Sequence, residues 1–134
     1  MTLSEVMHVH IPVLSLDATV REVVDKMDIY QFPALVFVDE SRQPVAVITE
    51  GDVARAVCSK GDLVSLGSRR ALDFASRDPL CASLDVEVSE ALHMMLSRGL
   101  TVLPVVYQGK MMGIVLRMDL MQALLTDVNV PQQG

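Results

Sequence analysis

The feature that most constrains this chain is that it aligns with itself. Leu16-Asp17 falls on Leu84-Asp85 at an offset of 68 residues, and Asp52 falls on Asp119 at an offset of 67. Between these anchors Val20 matches Val88, Glu22 matches Glu90, Met27 matches Met95, Leu35 matches Leu103, Val38 matches Val106 and Ala56 matches Ala123. The one-residue slip lies between Asp39 and Pro44, opposite the shorter Tyr107-Gln108-Gly109-Lys110. Insertions collect in exposed turns, so the slip predicts a hairpin in each copy.

The hydrophobic period changes in the same order in both copies. Val20, Val23, Val24 and Met27 lie at i, i+3, i+4 and i+7, as do Val88, Ala91, Leu92 and Met95, which describes one apolar helical face. Thr19 with Glu22 has capping-box spacing; Glu87 replaces that threonine in the second copy, so Asp85 or Ser89 is expected to cap instead. Leu35 to Val38 and Val45 to Ile48 are β-branched runs around a polar turn, mirrored by Val102 to Val106 and Met112 to Val115. A second helix is expected over Gly51 to Cys58 and over Met118 to Leu125, and a short opening strand over Ile11 to Leu14 and over Leu80 to Ser83.

Each copy therefore reads β-α-β-β-α, with strands too apolar to leave a sheet face in water. At 134 residues and 51% hydrophobic, the chain can bury one substantial core but is short for two independent domains. The predicted fold is α+β: two such units packed sheet to sheet about a pseudo-twofold axis. Residues 1–58 form the first unit, 59–78 a crossover linker and 79–134 the second.

Charge and composition narrow the function. A formal net charge of -6 argues against a nucleic-acid partner, whose recognition rests on clustered Lys and Arg. Arg69-Arg70, the one basic doublet, reads as solvated linker. No apolar run approaches the ~20 residues of a membrane span, and the first residues lack a secretory pattern, so membrane insertion is not expected and the cytoplasm is. Cys58 and Cys81 lie on no metal or redox spacing and read as small apolar fillers. His8-x-His10 has no third ligand near it in sequence, and His93 reads as surface. Six of the nine methionines fall in the second copy, at 94, 95, 111, 112, 118 and 121, a density that suits core filling or a homodimer face. There is no Ser-His-Asp set, metal cluster or phosphate loop, so the chain offers no catalytic residues and is not expected to be an enzyme.

The residues with chemistry to offer sit at a strand-to-helix junction, Ile48-Thr49-Glu50-Gly51-Asp52. A helix start gathers unpaired N–H groups and favours anions, and Thr49 adds a hydroxyl. Asp52 presents two acceptor oxygens suited to paired ribose hydroxyls. Equally, Thr49 and Asp52 have the spacing of a helix cap alone.

These motifs in this order resemble the CBS domain pair, or Bateman module: Thr49-x-x-Asp52 after an apolar strand, Gly113-Ile114-Val115-Leu116-Arg117-Met118-Asp119, and Leu103-Pro104-Val105-Val106. The resemblance runs over roughly residues 4 to 126. It implies a regulatory ligand-sensing module, usually dimeric, for AMP, ADP, ATP or S-adenosylmethionine, with no required cofactor and a separate enzyme or transporter as effector. A ligand-free structural or dimerisation module is the alternative. By the same resemblance, Val47, Thr49 and Asp52 of the first copy would form the preferred site with Ser76, Leu80, Cys81, Leu100 and Thr101 of the second. Ile114 and Asp119 would form a weaker site with His8, Val13 and Phe32, since Leu116 stands where the family has Thr or Ser. Arg117 or Arg55 is a candidate to compensate. Ala46 replaces a usual glycine, and Val36 stands opposite Pro104.

Overall fold

Two three-stranded sheets, each covered by helices on one face, meet through their other faces in the computed structural model, which describes residues 1–59 and 61–129. Lys60, in the expected linker, and residues 130–134, at the end of the expected second unit, lie outside the described residues.

The first hairpin joins β1 (Ala34–Val38) to β2 (Pro44–Thr49), and the second joins β5 (Val102–Tyr107) to β6 (Lys110–Leu116). The predicted slip falls in their turns. In the first turn Asp39 Oδ1 accepts from the Ser41 and Gln43 N–H groups, both at 2.9 Å. In the second, Gln108 and Gly109 both take positive φ, the conformation of a two-residue hairpin turn. Alternation then sorts the strand residues by face: Leu35 and Phe37 enter the first lobe's core, while Ala34 and Val36 enter the seam with Val102, Met111 and Ile114. Each sheet is thus buried on both sides, and neither lobe could cover its seam face alone.

Helix α2 (Val20–Tyr30) buries Val20, Val23 and Met27, and α5 (Val88–Arg98) buries Val88, Ala91 and Met95, whereas Val24, expected on the same face, is exposed and Leu92 half-buried, because each face is narrower than the periodicity suggests. Thr19 accepts from the Glu22 N–H at 3.2 Å and caps α2. The expected side-chain cap on α5 is absent: the N-cap position is Glu87, neither Asp85 nor Ser89 fills that role, and the first free N–H, that of Val88, donates to the Met1 carbonyl at 3.0 Å. The remaining helices are α1 (Leu3–Val6), α3 (Glu50–Ser59), α4 (Leu63–Ser68) and α6 (Arg117–Asn129).

Two sequence-based expectations need correction, and they have one cause. Residues 59–78 are not only a linker: they hold α4, a 3-10 turn at Ala71–Phe74 and β3 (Ser76–Arg77), which pairs antiparallel with β2. Leu66, Ala71 and Leu72 are buried in the first lobe's core. Residues 1–8, assigned to the first unit, cross the other way. Leu3 is fully buried in the second lobe's core, and His8 exchanges backbone hydrogen bonds with Ile114 on the free edge of β6. Each copy's leading strap therefore completes the other copy's sheet. The expected opening strands shrink accordingly, to a parallel bridge from Leu14 to Phe37 and to β4 (Ala82–Ser83) beside β5.

Candidate functional site

Two matching junctions, the first and second clefts, lie along the seam, one where β2 turns into α3 and one where β6 turns into α6, and each is met by the other copy's strap. In the first, β2 turns directly into α3. Asp52 Oδ2 accepts from the Thr49 N–H at 2.9 Å, and Thr49 Oγ1 accepts from the Asp52 N–H at 3.1 Å, a reciprocal cap that fixes the junction. The other carboxylate oxygen, Oδ1, pairs with Arg55 at 2.6 Å. The capping role of Thr49 and Asp52 is therefore present in the structure, and the Asp52 side chain is only 14% exposed.

Beside this junction opens a cavity of about 540 Å³ between the lobes. Val47 and Thr49 line it from the first lobe's sheet, Ser76 and Leu80 from the strap, and Leu100 and Thr101 from the second lobe. Its size lies within the ordinary range for small-molecule sites. Two of the eight residues expected here stand outside its wall. Asp52 faces a second hollow with Arg55, Ala56, Cys58, Ser59 and Phe74, one hydrogen bond away from Thr49. Cys81 is half-buried behind Pro79, whose carbonyl its thiol reaches at 3.5 Å, and burial pushes that thiol's pKa up. The wall also contains residues the sequence reading missed, chiefly Arg77, Asp78 and Arg98. Arg77 and Asp78 fell in the supposed linker and Arg98 on a polar helix end; only comparison with the matching Val9, His10 and Tyr30 would have drawn attention to them.

The second cleft brings all five of its expected residues together, but against one another. Leu116 has no oxygen to complete a reciprocal cap, so Asp119 Oδ2 accepts from the Leu116 N–H at 2.8 Å without a return bond from that side chain. The same oxygen meets His8 Nε2 at 2.9 Å. The His8 ring stands edge-on to Phe32, centroids 5.5 Å apart. Phe32, Val13 and Leu116 pack with Ile114 in the seam. Gly113 allows this strap to lie so close: a Cβ there would come within 2.5 Å of the His8 carbonyl oxygen. The matching residue of the first lobe, Ala46, faces Arg77 and is buried without such a clash. Arg117 is exposed and Arg55 belongs to the first cleft, where it pairs with Asp52. Among the described residues no group of three or more His, Cys, Asp or Glu could hold a metal, and no helix is long and apolar enough to cross a membrane.

This geometry can be set beside known proteins. The family model described as CBS domain matches residues 3–59 and 71–126. A 17.7 kDa protein of Acidianus ambivalens is 31% identical over 132 residues, covering 98% of this chain and 77% of that one. The crystal structure of CBSX2 in complex with AMP superposes with a TM-score of 0.83 at 20% identity, covering 96% of this chain and 98% of that one. The domain pair of protein MJ0100, in complex with 5'-methylthioadenosine and S-adenosyl-L-methionine, gives 0.79 at 18% identity, covering 95% and 98%.

Proposed function

The chain belongs to the CBS domain family, and from that premise we propose that it is a regulatory ligand-sensing module whose first cleft binds an adenosine-containing small molecule. AMP, ADP, ATP and S-adenosylmethionine are the candidate ligands. The observation that carries this reading is the open cavity lined by both lobes, with six of the eight expected residues in its wall. The complexes of CBSX2 with AMP and of MJ0100 with methylthioadenosine and S-adenosylmethionine support the ligand class. A ligand touching both lobes favours one relative orientation over others, and that difference in affinity is what a sensor transmits.

Transmission to a separate effector, an enzyme or a transporter, belongs to the same proposal, as do a cytoplasmic location, a homodimeric state and the absence of catalysis. The exposed apolar residues Val24, Val57, Leu96, Met121 and Leu125 on outer helices support self-association. Thermal unfolding tests the ligand: at 100 times its dissociation constant, a bound adenosine compound adds about 2.7 kcal/mol and raises the midpoint. Thr49→Val, which removes a hydroxyl from the cavity wall, should diminish that shift. A midpoint indifferent to every adenosine compound overturns the proposal. It would favour the second reading, a ligand-free structural or dimerisation module, to which the self-filled second cleft lends weight. Light scattering that finds only monomer at high concentration removes the homodimer.

A further inference from the structure

The first cleft carries two guanidinium groups that no other side chain among the described residues engages. Arg77 stands on β3 in the first sheet and Arg98 ends α5 in the second lobe, yet both line the one cavity. Both are exposed, and among the described residues no ion pair engages either, whereas Arg21, Arg55 and Arg69 each face an aspartate. Asp78 is the one acidic residue in the wall, so the lining carries a net positive charge.

The repeat supplies an internal control. At the matching positions of the second cleft stand Val9 and Tyr30, and the hydroxyls of Thr49 and Thr101 are replaced by Leu116 and Pro33. The two guanidinium groups and the two threonine hydroxyls thus coincide in the first cleft, and the second has neither pair, its one hydroxyl at these positions being the Tyr30 phenol. Guanidinium offers paired, planar N–H donors to phosphate oxygens and repels a cation.

We propose that the first cleft selects a phosphate-bearing ligand, gripped by Arg77 and Arg98 from opposite lobes, over the same nucleoside carrying a neutral or sulfonium group. The proposal deepens the adenosine reading and rests on it for the nucleoside only. Because the two arginines come from different lobes, the phosphate ties the lobes together, so the charged end of the ligand is also the end that is sensed.

Titration calorimetry of the full chain with AMP, adenosine, S-adenosylmethionine and pyrophosphate, at low and at physiological salt, tests this. AMP should bind at least about tenfold more tightly than adenosine or S-adenosylmethionine, and added salt should weaken AMP alone. Arg77→Gln and Arg98→Gln should each reduce AMP affinity about tenfold and leave adenosine unchanged. Both sites are exposed, so an unaltered melting midpoint certifies that the variants are folded. Adenosine or S-adenosylmethionine binding as tightly as AMP, or AMP binding untouched by both substitutions, overturns the clamp and leaves the adenosine reading standing. Pyrophosphate binding that needs both arginines, without binding of any adenosine compound, supports the clamp and overturns the adenosine reading. Failure of all four compounds to bind overturns both.

Discussion

Thr49 and Leu116 end matching strands and precede matching aspartates, yet a cavity opens beside one, while beside the other His8 reaches across to the aspartate. Around Thr49 the cap is reciprocal, so Asp52 is held by its own junction and by Arg55. Around Leu116 half the cap is missing, and Asp119 takes a partner from the far end of the chain, His8, which Phe32 then braces. The difference teaches that in a duplicated fold a few paired differences, Thr49 against Leu116, Ser76 against His8 and Ala46 against Gly113, are enough to give matching junctions different contents. Symmetry in the backbone does not carry over to the contents.

The comparison can be broken or sharpened by substitution. The largest effect is expected from Leu3→Ala, which empties a fully buried site and frees the strap that carries His8. A loss of about 2–5 kcal/mol in denaturant unfolding is the expectation, and less than about 1 would show that the strap is not anchored there. Next comes Gly113→Ala, whose methyl group would collide with the His8 carbonyl. It should cost about 1–3 kcal/mol, whereas Ala46→Gly at the matching position should cost only about 0.5–1.

Gln31 and Gly99 end α2 and α5 at matching positions, both with left-handed backbone. Gln31→Gly should therefore stabilise the first lobe by about 1 kcal/mol, read from the melting midpoint; no gain would mean that the Gln31 side-chain bond to the Asp28 carbonyl offsets the strain.

The double substitution His8→Ala/Leu116→Thr should restore a hydroxyl and remove the plug. Ligand stoichiometry is then expected to rise from one towards two per chain, and a native chain that already takes two would refute the contrast between the clefts. The smallest effect concerns pH at the strap's root. Asp62 accepts from the Ser65 and Val64 N–H groups, which hold its carboxyl below the ordinary carboxylate range. Its cap on α4 is thus fully in force above that ordinary range and lost as pH falls through the lowered value. Amide exchange in α4 should accelerate there in the native chain and show no such step in Asp62→Asn.

Much of this was legible in the sequence because it is local. The helical faces of Val20 to Met27 and Val88 to Met95, both hairpins and the Thr49–Asp52 cap follow from spacing within a dozen residues. The strap exchange was not, because the pairing of His8 with Ile114, or of Ser76 with Val47, leaves no periodic mark; Ile11 to Leu14 was the more apolar run and so read as the strand. For the same reason Arg77 and Asp78 were read as linker, and the expected placement of Asp52 in the cavity wall missed that its carboxylate turns back to its own helix start. The second site's members follow from the resemblance to the CBS domain pair, but their contacts with one another depend on the reach of His8 across the seam.

The crossed straps also bear on how the chain reaches its final form. Residue 8 must await residues 114 and 119, and the first sheet stays one strand short until residues 76 and 77 arrive, so the amino-terminal copy cannot mature as it emerges during synthesis. Pairings this distant slow the search for the native topology. Severing the chain at the boundary between the copies would leave each fragment holding a piece that the other needs, so the two should regain order only on mixing.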